Sequence, residues 1–305
     1  AVSHLNAVLD TPPLRAQYNA NLPRLTQFFT ELAQNEALYA KYKAIAARDD
    51  FGSLAPARRR VIENELRDFR LGGAELPPPV KERLRAVRER QSQLATRYAE
   101  NVLDATNAFA LLIDDPRELA GVPQDTLQML REAAQAEGKD GYKLTLHAPS
   151  YLPVMQYADD RALRERLHRA YATRASEFGR AEWDNTQPMI ELLRLRREQA
   201  ALLGHRDFAE LSLVPKMAES PQQVLDFLRD LARRARPFAE RDMAELQEFA
   251  ARELALPQLQ AWDIAYASEK LRQARYAFSE QEVKQYFPEP RVLAGLFRVI
   301  ETLFP

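Results

Sequence analysis

Glu165 and His168 stand three residues apart in Glu165-Arg-Leu-His168, a spacing that puts a carboxylate and an imidazole on one helix face, as in di-iron carboxylate bundles. That chemistry needs a second such pair and two further glutamates. None of His4, His147 and His205 has Glu three residues before it, and Arg164, Arg166 and Arg169 crowd the position with positive charge. The alternative, a surface histidine near the end of a helix, makes no such demands. None of the four histidines is followed by Glu, so no His-Glu-x-x-His zinc helix is present. No residue of the chain is therefore assigned as a metal ligand or catalytic group, and its substrate-binding residues stay open.

Two further constellations could act on a ligand. Arg229, Arg233 and Arg236 share one face of a helix, and Arg58-Arg59-Arg60 opens another. Such guanidinium forks can hold an anion or the carboxylate end of a peptide. The nearby acids Asp226, Asp230, Glu240 and Asp242 equally fit an ordinary solvated face. Tyr151, Tyr157, Tyr171, Trp183, Trp262, Tyr266, Tyr276 and Tyr286 have rings and polar tips suited to a peptide channel, with core packing as the alternative. No Gly-rich phosphate loop or Gly-x-Ser-x-Gly elbow occurs, and with 0 Cys no thiol nucleophile, disulfide or thiolate metal site is possible.

The composition narrows the classes further. The 305 residues, 46% of them apolar, suffice for a sizeable core and for two domains. With 43 Lys plus Arg against 44 Asp plus Glu, no global charge attracts nucleic acid or anionic lipid. No apolar run approaches the roughly 20 residues of a bilayer-spanning helix, and residues 1–10 lack the basic start and apolar core of a signal peptide. A soluble, cytoplasmic protein is expected, with neither nucleic acid nor membrane as partner.

The elements that would position these residues are helices. Only 9 Gly accompany abundant Ala, Leu, Arg and Glu, a helix-rich composition. Val80, Leu84, Val87, Leu94 and Tyr98 mark one stripe of a long helix that opens after Pro77-Pro78-Pro79 and runs to about Asn107, about 45 Å at 1.5 Å per residue. Ser220-Pro221-Gln222-Gln223 announces another, with a capping Ser, Pro in first position and a Gln that can reach back. Val224, Leu228, Leu231, Ala235 and Phe238 follow as its expected buried face, with a kink expected at Pro237. Further helices are predicted over 14–34, 56–70, 123–136, 161–174, 188–203, 264–277 and 291–303. Phe109 to Ile113 and Tyr142 to His147 read as two short strands of an antiparallel ribbon, with the Pro123 helix between them. No repeat of 20 to 50 residues suggests a solenoid. The predicted fold class is all-α, multi-helical, with one small two-stranded antiparallel β ribbon.

One stretch says more than composition can. Tyr151-Leu-Pro-Val-Met-Gln-Tyr-Ala-Asp-Asp160, running on through Leu163-Arg-Glu-Arg-Leu-His-Arg-Ala-Tyr171 to Arg174-Ala-Ser176, resembles the thimet oligopeptidase family of zinc peptidases, nearest its bacterial oligopeptidase A branch. Other blocks agree in order and approximate separation: Ser3-His-Leu-Asn6, Asn101-Val-Leu-Asp-Ala-Thr106, Lys216-Met-Ala218 with Ser220-Pro-Gln-Gln-Val-Leu-Asp-Phe-Leu228, Trp262-Asp-Ile-Ala-Tyr266, and Tyr286-Phe-Pro288 with Gly295-Leu-Phe297. The Trp262 block departs from the pattern at Ala267, where relatives tend to carry a second tyrosine.

The resemblance implies a mainly helical, ellipsoidal molecule with a deep channel, cleaving internal bonds of short peptides. It also implies zinc held by two histidines of His-Glu-x-x-His and a later glutamate, with the motif's own Glu activating water. Those positions lie downstream of every matched block, so zinc is expected in the longer parent protein and none in this chain. The chain begins inside one matched block and ends just after a helix, which reads as part of a longer protein. Residues 1–149 are expected to form the helical region capping the channel, and 150–305 the opening, incomplete part of the peptidase catalytic region. The expected partners are short peptides and the missing C-terminal catalytic half. A stand-alone, non-catalytic helical module binding peptides or proteins is the alternative.

Overall fold

The computed structural model describes residues 2–276 and 280–304. They form helices α1 (Val2–Leu9), α2 (Pro12–Ala33), α3 (Glu36–Ala46), α4 (Pro56–Gly72) and α5 (Pro78–Asn107), then strand β1 (Leu111–Ile113), α6 (Gln124–Gln135) and strand β2 (Tyr142–Leu144). Helices α7 (Ala148–Tyr157), α8 (Arg161–Ala172), α9 (Thr186–Leu202), α10 (Phe208–Leu213), α11 (Pro221–Glu253), α12 (Ile264–Tyr276), α13 (Glu280–Lys284) and α14 (Glu289–Leu303) follow. The fold is mostly α with one small antiparallel ribbon, as the composition and periodicity imply. The expected residue Ala277 lies outside the described residues. By internal contacts the chain divides into two compact units, 1–102 with 181–232 and 103–180 with 233–305.

In the first unit, α3 and α4 pack through Tyr39, Phe69 and Ala74, with the two rings 5.4 Å apart. The sequence sets up this pair locally. Asn35 caps α3 by accepting from the Leu38 amide at 2.9 Å, which satisfies one of the orphan donors at a helix start. At the far end of α4, Gly73 takes φ 93° as the left-handed cap, and a Cβ on Gly72 would lie 2.6 Å from the Ala33 carbonyl oxygen. Arg88 of α5 then donates to the Leu71 and Gly72 carbonyls at 2.6 and 3.2 Å, placing a cation on the negative end of α4; burial lowers its pKa. Helix α5 meets α9 through Val87, Leu94 and Leu195, flanked by Arg83 with Glu198 and Arg90 with Glu191. Of the stripe predicted for α5, Leu84, Val87 and Leu94 are buried, whereas Tyr98 is 39% exposed.

The second unit has its core where the ribbon and α6 meet α7 and α8. Leu111, Ile113, Leu130, Tyr142, Leu144, Val154, Leu163 and Leu167 belong to one continuous cluster. The strands pair Leu111 with Leu144 and Ile113 with Tyr142. They are three residues each, shorter than the five and six expected, because the ladder stops at the Leu111–Leu144 pair; the other end is closed where expected. Gly141 has φ 89° and a Cβ there would sit 2.6 Å from the Ile113 carbonyl oxygen. Past Leu144, the Thr145 amide donates to Ser150 Oγ at 2.9 Å instead of to the ladder.

Helix α11 starts as read. Ser220 Oγ accepts from the Gln223 amide at 3.1 Å, and Gln223 reaches back to the Glu219 amide at 2.6 Å. It runs on through Pro237 to Glu253. Its predicted buried face is corrected, because Leu228, Leu231 and Phe238 are all more than half exposed. Leu246 and Ala250 are buried instead, against Leu256, Tyr266 and Ala267. An apolar stripe is buried only where a second element lies across from it, and α12 provides that element at 246–250. Among the described residues no helix is long and apolar enough to cross a membrane.

Candidate functional site

The family-like blocks 151–176 and 262–266, about a hundred residues apart in sequence, converge in the second unit. Helix α7 ends at Tyr157, and Asp160 starts α8 by accepting from the Ala162 and Leu163 amides at 2.8 and 3.1 Å. The link between them is held from outside. The Asp159 amide donates to the Ala120 carbonyl at 2.8 Å, and Gly121, at φ 87°, leaves a Cβ only 2.3 Å from the Tyr157 carbonyl oxygen, so only glycine fits there.

Arg164 fixes the same link from inside. Its guanidinium, 1% exposed, donates to the carbonyls of Ala158 at 2.7 Å, Asp159 at 3.2 Å and Trp262 at 3.3 Å, and to Asp263 Oδ1 at 2.9 Å. It also lies 4.0 Å from the Tyr266 ring centre. Asp263, fully buried, further accepts from Arg161 Nη2 at 2.7 Å and from the Gln260 amide at 3.0 Å. Gln260 and Asp263 cap each other reciprocally across the turn Ala261–Asp263. Burial opposes ionisation of Asp263, but the hydrogen bonds from Arg161, the Gln260 amide and Arg164 outweigh it and hold the carboxyl below its ordinary pKa. Tyr266 donates to Asp159 Oδ1 at 2.9 Å, and Lys270 approaches the same oxygen at 3.2 Å. Burial first, and then Asp159, push the Tyr266 phenol up to about 12. Arg161, Arg164, Asp263, Tyr266 and Asp159 thus pair with one another and with backbone groups of the junction, so its chemistry is that of a clamp.

The sequence candidates land around the clamp without forming a metal centre. Glu165 pairs with Arg169 one turn on at 2.8 Å. His168 packs on Trp262 with ring centres 5.9 Å apart, and its Nδ1 is enclosed without a hydrogen-bond partner. Among the described residues no group of three or more His, Asp or Glu side chains could hold a metal, so the donor set does not fit zinc. On α11, Arg229 and Arg236 are exposed, with Arg236 paired to Glu240 at 2.7 Å, the solvated-face alternative. Arg60 approaches Glu63 at 3.8 Å.

The aromatic set divides. Tyr151, Tyr157 and Tyr266 are buried, whereas Tyr276 and Tyr286 are well exposed. Tyr151 and Tyr171 stack with ring centres 4.2 Å apart and 13° between planes, and the Arg174 guanidinium lies 3.5 Å from the Tyr171 centre. Burial, then the neighbouring Tyr171, raise the Tyr151 phenol above its ordinary value. Between the end of α11 and α12 runs an open groove of about 540 Å³, lined by Met243, Leu246, Ile264, Leu271, Arg272 and Tyr276 among others.

Residue-type reasoning passed over Arg161, Arg164, Asp159 and Asp263. Two signals were available. Arg164 falls between Leu163 and Leu167 on an apolar face, where an unpaired cation would be costly, and Gln260-x-x-Asp263 has the spacing of a reciprocal cap.

Comparison with known proteins assigns these blocks. The sequence model of peptidase family M3 matches residues 154–305, and that of the neurolysin/thimet oligopeptidase N-terminal domain matches residues 1–79. Oligopeptidase A of Salmonella typhimurium and that of Escherichia coli are each 46% identical over 99% of this chain, which covers 45% of their length. The probable cytosolic oligopeptidase A of Arabidopsis thaliana is 38% identical, with 44% of its length covered. The chain thus spans less than half the length of these relatives. Matches in both portions of the chain, and identity that runs along nearly all of it, show that it belongs to peptidase family M3.

Proposed function

We propose that this chain is the N-terminal and middle portion of a zinc-dependent oligopeptidase that hydrolyses internal bonds of short peptides. In this reading it forms one wall of the substrate channel and is inactive alone. The observation that carries the proposal is the 46% identity along 99% of the chain with only 45% of the relatives' length covered. Exposed apolar faces on α11 and α14 support it, since unpartnered apolar stripes of this size ordinarily meet another surface. We place the channel-capping helical region at 1–149 and the opening part of the catalytic region at 150–305, in line with family matches at 1–79 and 154–305. The partners are short peptides and the C-terminal catalytic half, and the compartment is the cytoplasm.

Zinc, when bound, would polarise the scissile carbonyl and lower the pKa of its water. In this reading its ligands belong to the C-terminal half, and no hydrolytic step runs through residues of this chain. The test is the reading frame past Pro305 together with the metal content of its product. A His-Glu-x-x-His helix and one zinc per full-length molecule are expected. A frame that stops near Pro305, or stoichiometric zinc on the chain alone, would overturn the reading in favour of a stand-alone module.

A further inference from the structure

The turn after α8 holds a guanidinium with little to do for the fold. Arg164 is committed to Asp263 and three carbonyls, Arg161 to Asp263, and Arg169 to Glu165. Arg174 differs from all three. Among the described residues no carboxylate pairs with it. Its one hydrogen bond runs from Nη1 to Thr106 Oγ1 at 3.3 Å, and its Nε is enclosed without an acceptor. Its plane is nonetheless held, on Tyr171 at 3.5 Å, with Tyr171 in turn stacked on the buried Tyr151. The residue is partly exposed, as is Tyr171 beneath it.

The backbone next to it is strained. Ala175 takes φ 49° and is 8% exposed, a left-handed conformation that ordinarily falls to glycine. Such outliers persist where the surroundings enforce them, and they gather at functional positions. Here the left-handed step directly follows Arg174, whose side chain folds back over the α8 tyrosine. A planar fork of donors, positively charged, stacked on an aromatic face and lacking a protein anion, is the arrangement that recognises a carboxylate in two-point fashion.

We propose that Arg174, supported by Tyr171 and Tyr151, is a carboxylate-binding site of this chain that receives either the free C-terminal carboxylate of a peptide or an Asp or Glu side chain. The identity of the ligand as a peptide rests on the function proposed above; the carboxylate chemistry does not.

The experiment follows the Arg174 Nε–H signal in ¹⁵N-labelled chain at fixed ionic strength, the signal being identified by its loss in Arg174→Gln. The probes are sodium acetate, N-acetyl-trialanine, its C-terminal amide, and N-acetyl-Ala-Asp-Ala amide. Saturable shifts are expected with acetate and with at least one acidic peptide, and none with the trialanine amide. Which acidic peptide acts tells the C-terminal carboxylate from the side chain. Arg174→Lys, which keeps the charge but loses the fork, should weaken binding of that peptide about tenfold, read on the Tyr171 ring signals, with unchanged circular dichroism. Thr106→Val, which removes the acceptor of the Arg174 hydrogen bond, should leave binding intact. Acetate binding without binding of either acidic peptide would uphold the site and count against the peptide reading. No saturable shift with any carboxylate, or an equal response to the neutral amide, would overturn the proposal.

Discussion

Helices α8 and α14 carry the same kind of code and meet different fates. Both belong to the second unit, both are amphipathic, and they run for 12 and 15 residues. On α8 the stripe is buried, with Leu163, Arg164 and Leu167 almost fully enclosed, and a buried arginine is satisfied by Asp263 and three carbonyls. On α14 no residue is buried; Val292, Leu296, Phe297, Val299, Ile300 and Leu303 are all exposed. Periodicity states that a helix expects a partner. It does not say whether that partner lies within the same stretch of chain.

The contrast can be broken most severely at Asp263. Replacing it by Ala leaves Arg164 buried without its carboxylate, and removing one member of a buried pair costs about 3–5 kcal/mol. Urea denaturation should show that loss, and a loss below about 1 kcal/mol would mean that the clamp does not hold the second unit together. Truncating the apolar side of the same helix comes next. Leu167→Ala, at a fully buried position, should cost about 2–5 kcal/mol through lost burial and a residual cavity.

The clamp should also sense pH in two directions. Asp263 has its folded pKa held below the ordinary carboxylate value. Its contribution is therefore present above the unfolded value, about 3.9, and is lost as pH falls through the folded one. The stability gap between the wild type and Asp263→Asn should narrow below about pH 4; a gap constant with pH would contradict the ionised pair. Tyr266 has the opposite sign. Its raised phenol, near 12, favours the folded state below the unfolded value of about 10. That contribution fades as pH rises from there toward the folded value. Phenolate absorbance should show late-titrating tyrosines, Tyr151 among them, and Tyr266→Phe should remove one that titrates near 12. The smallest effect belongs to α14, where Leu296→Ala in this chain should stay within about 0.5 kcal/mol, while the same change in the full reading frame should cost several times more.

How much of this was legible in the sequence follows the same division. The long helix from Pro78, the Ser220 cap and the ribbon around α6 could be read because local periodicity, capping residues and Gly141 determine them. The face of α11 from 224 to 238 was misread because burial depends on what lies opposite, and an apolar stripe looks the same with or without a partner. The clamp was missed for a related reason. Arg164 and Asp263 are unremarkable in charge composition and become decisive only once a link of about a hundred residues brings them to 2.9 Å. Helices α3 and α7, and the short α1, α10 and α13, went unpredicted, α7 because Pro149 and Pro153 disguise a helix that tolerates one proline in its first turn and another inside it.

The central claim, that this chain is the scaffold portion of a longer peptidase whose chemistry lies outside it, is tested most directly by hydrolysis of an internally quenched short peptide. The chain alone and the product of the full reading frame should be assayed side by side, with added zinc. Cleavage by the full product and none by the chain is predicted. Cleavage by the chain alone, or none by the full product, would contradict it.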